Sequence, residues 1–293
     1  MTDNLPLSVV GTTRVAREAR AGFGEFLDGA GARNRGTLLT EGGSWVWEAL
    51  QADGRRDRWD VWALVPHVGG YVREVTDYGV LGAGWRRLRQ INPLSGGRLF
   101  VQGLLNARRV LRRDFPTLLT LLLELEMANF RKVRPPVVFL HPQMTDLLLA
   151  MDHGAALQRA VARIRRGFGA GPGLATYNLG TLLPRLQSWG LEVPYLLASL
   201  HPRGYGMRPN REACEAGLRA FRGRLIATCE TDLDDDIAAY WRAQGVAGSV
   251  YDVPEPAVAE WRLWQTWRDR ADAPRPGGEP ARPPLAEIGR AHV

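Results

Sequence analysis

The chain has 293 residues, 45% of them hydrophobic and 24% charged, with a formal charge of +7. That composition describes a globular chain able to bury a full core, and the two cysteines, Cys214 and Cys229, exclude a disulfide-stapled scaffold and fit a reducing, cytoplasmic setting. The charge does not by itself mark a nucleic-acid binder: Lys132 is the sole lysine, and the arginine skew with abundant Ala and Gly points to a GC-rich coding sequence.

In chain order, short apolar runs alternate with amphipathic stretches, the pattern of βα units on a parallel sheet. The strand candidates are Leu7–Thr12, Thr37–Glu41, Asp60–His67, Pro136–His141, Gly173–Asn178, Pro194–His201, Arg224–Glu230 and Gly248–Asp252. The helix candidates are Arg14–Ala30, Ser44–Ala52, Met144–Phe168, Leu179–Trp189, Asn210–Phe221, Leu233–Gln244 and Ala257–Arg270. Asn210 and Thr231 or Asp232 are expected to cap helices, and Gly190, Gly223 and Gly245 to stop them. Such alternation predicts an α/β fold, a closed (β/α)8 TIM barrel over residues 1–270, with an open doubly wound sheet as the alternative.

The interval 71–133 is too long for one connection and is expected to form a helical insertion over the mouth of the barrel. Within it, Arg108, Arg109, Arg112 and Arg113 share a helix face, read as a solvated face rather than a nucleic-acid patch because no aromatic residues interleave them. The apolar stretch Pro116–Met127 carries Glu124 and Glu126, so it reads as a buried helix and no membrane partner is expected. Residues 271–286, rich in Pro, Gly and Arg, are expected to be a disordered tail. Glu287–Val293 resembles the translation of a short-read sequencing adapter and is expected to be read-through, which removes His292 from consideration.

Two segments, Ala63-Leu-Val-Pro-His-Val-Gly-Gly-Tyr-Val-Arg-Glu-Val-Thr-Asp-Tyr-Gly79 and His201-Pro-Arg-Gly-Tyr-Gly-Met-Arg-Pro-Asn-Arg-Glu212, resemble stretches of prokaryotic TIM-barrel proteins without an assigned activity. The resemblance implies the barrel fold and no particular chemistry.

Barrel enzymes place their chemistry at the C-terminal ends of the strands. Those ends carry Arg14, Glu41, His67, His141, Tyr177, Asn178, His201, Glu230 and Asp252. His67, His141, His201 and Glu230 are the candidate ligands of a divalent Zn, Mn or Fe ion, since imidazoles and carboxylates converging on one point suit these metals. Glu41, Glu230 and Arg14 are the candidate catalytic groups, with Arg14 orienting a substrate carboxylate, and Tyr177, Asn178 and Asp252 the substrate contacts. The bland reading has the histidines before Pro142 and Pro202 simply bonding their own loops, and His153 within a helix as structural.

Several chemistries are disfavoured. Glu230, Asp232, Asp234, Asp235 and Asp236 make the usual phosphate site of a barrel acidic, so the substrate is expected to be unphosphorylated. Lys132 precedes the fourth strand, at the wrong end for a Schiff-base aldolase or an aldo-keto reductase. No nucleotide cofactor is expected, because Gly79–Gly84 lacks the dinucleotide order and the Gly167–Gly173 stretch reads as a bottom-face turn. Trp261, Trp264 and Trp267 should pack on the barrel, while Trp45 and Trp47 sit where they could stack a ligand but read as core. The expectation is a metal-assisted hydrolase, lyase or isomerase acting on a small polar ligand. The alternatives are a metal-free binding or scaffold barrel, and a glycosidase using Glu41 with Glu230.

Overall fold

The structure is a computed structural model, and it describes residues 7–11, 36–41, 50, 58–66, 114–130, 133–228 and 235–252. Its strands are β1 Leu7–Gly11, β2 Gly36–Thr40, β3 Trp59–Val65, β4 Val137–Leu140, β5 Gly171–Thr176, β6 Tyr195–Ser199, β7 Arg224–Thr228 and β8 Gly248–Asp252. Each pairs in parallel with the next, and β8 returns to β1 with Leu7 opposite Gly248 and Gly11 opposite Asp252. The fold is therefore of the α/β class, a parallel barrel of TIM-like form.

The described helices are α1 Phe115–Asn129, α2 Pro142–Ala150, α3 Gly154–Phe168, α4 Leu179–Ser188, α5 Arg211–Leu218 and α6 Asp235–Ala243. Strand alternation sorts the apolar residues into two cores. Val61, Ala63 and Val65 of β3, Val138 and Leu140 of β4, and Leu196 and Ala198 of β6 face the helices, where they meet Leu157, Ile164, Leu182 and Leu186. The alternate residues Trp62, Leu64, Val137, Phe139, Tyr195, Leu197, Ile226 and Val250 fill the barrel itself. Burial on both faces explains why each strand is a nearly unbroken apolar run.

Inside the barrel, three rings touch one another. Trp62 lies 5.8 Å from Phe139 and 5.9 Å from Tyr195, and Phe139 lies 6.3 Å from Tyr195. The two contacts of Trp62 are tilted and the third is edge-on. The rings come from β3, β4 and β6, and β5, between β4 and β6, contributes Gly171 and Gly173. The expected bottom-face turn is thus corrected: β5 starts two residues earlier than the apolar run suggests, and its glycines leave room for the rings. Of that stretch only Gly169, with φ +66°, is the left-handed stop of α3.

A second correction concerns the stretch Met144–Phe168, expected as one helix. It is two, because Asp152 takes a left-handed φ of +51° between them, a conformation that Asp tolerates better than most residues. His153 stands at the start of α3 without capping it through its side chain. Asn210 caps α5 as expected, its side chain accepting from Ala213 N–H at 2.8 Å. Gly190 and Gly245 have φ of +61° and +66° just beyond α4 and α6.

Of the interval 71–133, residues 71–113 and 131–132 lie outside the described residues, and with them the arginine stripe and Lys132. Helix α1, which closes the interval, packs against β3 and α3 and so occupies the outer helix layer. Asp114 caps it by accepting from Thr117 N–H at 3.2 Å, and Glu124 pairs with Arg163 of α3. The expected helices Arg14–Ala30 and Ala257–Arg270, the tail 271–293 and, except for the buried helical Leu50, the helix Ser44–Ala52 also lie outside the described residues. Among the described residues, no helix is long and apolar enough to cross a membrane.

Candidate active site at the barrel mouth

The alternation that puts Leu39, Phe139, Ala175, Leu197 and Ile226 inside the barrel carries forward, two residues at a time, to Glu41, His141, Tyr177, His201 and Thr228. For two of these the result is direct contact. His141 Nε2 lies 3.3 Å from Glu41 Oε1, although the residues are 100 positions apart and β3 runs between their strands. The histidine side chain is 8% exposed and the carboxylate side chain 23%, so the pair sits at the boundary between core and solvent.

A backbone contact selects the tautomer of the neutral histidine ring. Pro142 begins α2, and His141 immediately before it uses Nδ1 to accept the Gln143 N–H at 3.3 Å. A neutral ring accepting at Nδ1 carries its proton on Nε2, and that proton points to Glu41. The same device recurs after β6. His201, also followed by proline, accepts the Arg203 N–H at its Nδ1 at 3.0 Å, so its neutral ring is likewise protonated at Nε2. Its own N–H donates to Met207 Sδ at 3.4 Å, and its ring lies 4.7 Å from that of Tyr205.

This chemistry bears on the metal expectation. A histidine that ligates through Nε2 ordinarily donates from Nδ1 to a carbonyl or carboxylate. In His141 and His201, Nδ1 accepts instead, which suits Nε2 to donating a hydrogen bond rather than to coordinating an ion. Among the described residues, no group of three or more His, Cys, Asp or Glu side chains is placed to hold a metal. His67, Glu230 and Arg14 lie outside the described residues, and Asp252 is described by its backbone alone.

Tyr177 and Asn178, expected as substrate contacts, follow β5 and are both tied to Asp146 of α2. One carboxylate oxygen of Asp146 accepts from Thr176 Oγ1 at 2.5 Å; the other accepts from Tyr177 N–H at 3.1 Å and Asn178 Nδ2 at 2.9 Å. Asn178 therefore holds its own loop in place, while the Tyr177 side chain remains exposed. Sequence reasoning missed Asp146, whose position within a helix gave no sign of it. It also missed the Ser199 and Thr228 hydroxyls, 3.2 Å apart at the ends of β6 and β7, which alternation along those strands would have found.

A second hydrogen-bonded cluster stands behind the β6 loop. Glu215 accepts from Arg211 Nε at 2.6 Å and from the Tyr240 hydroxyl at 2.8 Å. The Arg211 hydrogen bond pulls the Glu215 carboxyl below its ordinary range, and burial followed by the Glu215 contact pushes the Tyr240 phenol upward. Burial also raises the Cys214 thiol and the Tyr195 phenol. A cavity of about 550 Å³, lined by Leu186, Leu191, Val193, Phe221 and Arg222, opens at the opposite end of the barrel, where the strands begin. In barrels of this kind that face serves stability, while the chemistry sits at the other end.

No family model matches the chain, and no curated protein matches it either. Among solved structures it is similar to a chain of a cube-shaped, highly porous protein cage designed by fusing symmetric oligomeric domains. That match has 13% identity and a TM-score of 0.43, covering 92% of this chain and 74% of that one.

Proposed function

We propose that the chain is an acid–base enzyme, a hydrolase, lyase or isomerase, acting on a small polar molecule at the C-terminal mouth of the barrel. The observation that carries this reading is the Glu41–His141 contact at the ends of β2 and β4. Glu41 takes the proton and returns it, and the Nε2–H of His141 holds the carboxylate in position. An unphosphorylated substrate suits the mouth because Asp235 and Asp236 open α6, where phosphate-binding barrels place an anion at a helix N-terminus.

The same proposal takes the barrel as a complete (β/α)8 ring in a cytoplasmic protein. A metal-assisted form would rest on His67 and Glu230 and would require His141 and His201 to give up their backbone bonds at Nδ1. The bonds at Nδ1 favour the metal-free form.

The test is enzyme-dependent deuterium incorporation from heavy water into a panel of unphosphorylated hydroxy acids, keto acids and sugars, read by proton NMR. At least one compound exchanges beside its carbonyl, and Glu41→Gln slows that exchange by about a hundredfold or more while the protein still melts as wild type. Exchange unaffected by Glu41→Gln overturns Glu41 as the base, and exchange with no compound overturns the lyase and isomerase forms, which take a proton from carbon. Elemental analysis of the purified protein separates the two catalytic forms: a stoichiometric divalent ion lost in His141→Ala overturns the metal-free one.

A further inference from the structure

The loop after β6 is braced from behind along its length. Leu200 O accepts from Trp241 Nε1 at 2.9 Å, and Pro202 O accepts from the Arg211 guanidinium, itself held by Glu215 and lying over the Tyr240 ring at 5.1 Å. Gly204 N–H donates to His201 O at 2.9 Å, and Met207 N–H to Gly204 O at 3.1 Å. Gly206 adopts φ +69°, and a Cβ there would stand 2.8 Å from Ser199 Cβ, so the loop lies tightly on the strand end.

His201 and Met207 are buried by this arrangement, yet Tyr205 between them is 59% exposed, its ring resting against that of His201. Tyr177, on the loop after the neighbouring strand β5, is 48% exposed, and its backbone is held by Asp146. Two tyrosine rings are thus presented to solvent on immobilised loops, at the end of the barrel where Glu41 and His141 meet. The Tyr205 ring, resting on His201, loses little conformational freedom when a ligand stacks on it.

We propose that Tyr205 is a stacking platform for a ring-bearing polar ligand, an unphosphorylated monosaccharide or cyclic polyol, bound at the mouth. This rests on the mouth being the ligand site. Such a ring has a flat C–H face suited to an aromatic surface and a rim of hydroxyls. The rim suits the polar strand ends, where the Ser199 and Thr228 hydroxyls and the Glu41–His141 pair lie.

Saturation-transfer NMR on the full chain tests this with glucose, galactose and myo-inositol as ring probes, sorbitol as their acyclic counterpart, and benzoate as an aromatic acid. A ring polyol binds more tightly than sorbitol; Tyr205→Phe keeps that binding within about twofold, and Tyr205→Ala weakens it about tenfold or more. Both variants melt as wild type, because the ring is exposed. The proposal is overturned if no ring polyol binds, if Tyr205→Ala binds it as wild type does, or if sorbitol or benzoate binds as well. In the last case, loss of that binding in His141→Gln leaves the mouth as the ligand site and removes only the ring assignment.

Discussion

Gly173→Ala adds one methyl group against the Phe139 ring inside the barrel. An ideal Cβ at Gly173 lies 2.4 Å from Phe139 Cδ1 and 2.5 Å from Cε1, whereas carbon atoms in contact sit about 3.5–4.0 Å apart. The ring must therefore retreat by roughly 1 Å, a distance set by that comparison of contact radii. Phe139 is completely buried and is flanked by Trp62 and Tyr195, so the displacement is passed to two more rings. Overpacking of this kind costs about 1–3 kcal/mol, and the upper half of that range is expected because aromatic rings cannot bend out of the way. Urea unfolding of the wild type, Gly173→Ala, Phe139→Leu and the double variant measures it. Phe139→Leu alone costs about 1 kcal/mol by loss of buried area, and the double variant is more stable than the sum of the two by about 1 kcal/mol, since the smaller side chain vacates the space that the new methyl needs. Additive effects, or an unchanged midpoint in Gly173→Ala, would refute the packing reasoning.

Asp146→Ala leaves the Thr176 hydroxyl, the Tyr177 N–H and the Asn178 amide without their common acceptor, and is expected to cost about 2–3 kcal/mol in urea unfolding. A cost below about 0.5 kcal/mol, the range of neutral surface changes, would show that the β5 loop is held by other means. Alkali should destabilise the protein through Tyr240. Its folded-state pKa is raised, so its contribution is fully present below the unfolded value, about 10, and is lost as pH rises through the higher folded value. Tyr195 adds to this in the same direction, and Cys214 does so from about pH 8.5 upward. Tyr240→Phe should flatten the fall in melting temperature above about pH 10 without abolishing it, and an unaltered slope between pH 8 and 11 would count against the assignment.

The barrel was legible in the sequence because a strand buried on both faces must be apolar throughout, and runs such as Val137–Leu140 and Tyr195–Ser199 between amphipathic helices have no other economical use. Helix ends were legible where a local bond decides them, as at Asn210 and Gly245. The break at Asp152 was not, because apolar periodicity continues across it. For the site, strand position alone brought Glu41, His141 and His201 to one end of the barrel, but position along a chain does not say which side chains touch. That Glu41 meets His141 depends on how far the barrel curves across β3, a property of closure. The proton position on each ring depends on a backbone N–H two residues further on, whose direction follows from the turn into the next helix or loop. Asp146 and Tyr205 acquired their places only when helix and loop packed on the strand ends. The sequence determined which strand faces would be buried and that Glu41, His141 and His201 would stand at one end of the barrel, because those follow from local periodicity. The tertiary structure decided every pairing between distant residues, because those depend on curvature and register that no local pattern encodes.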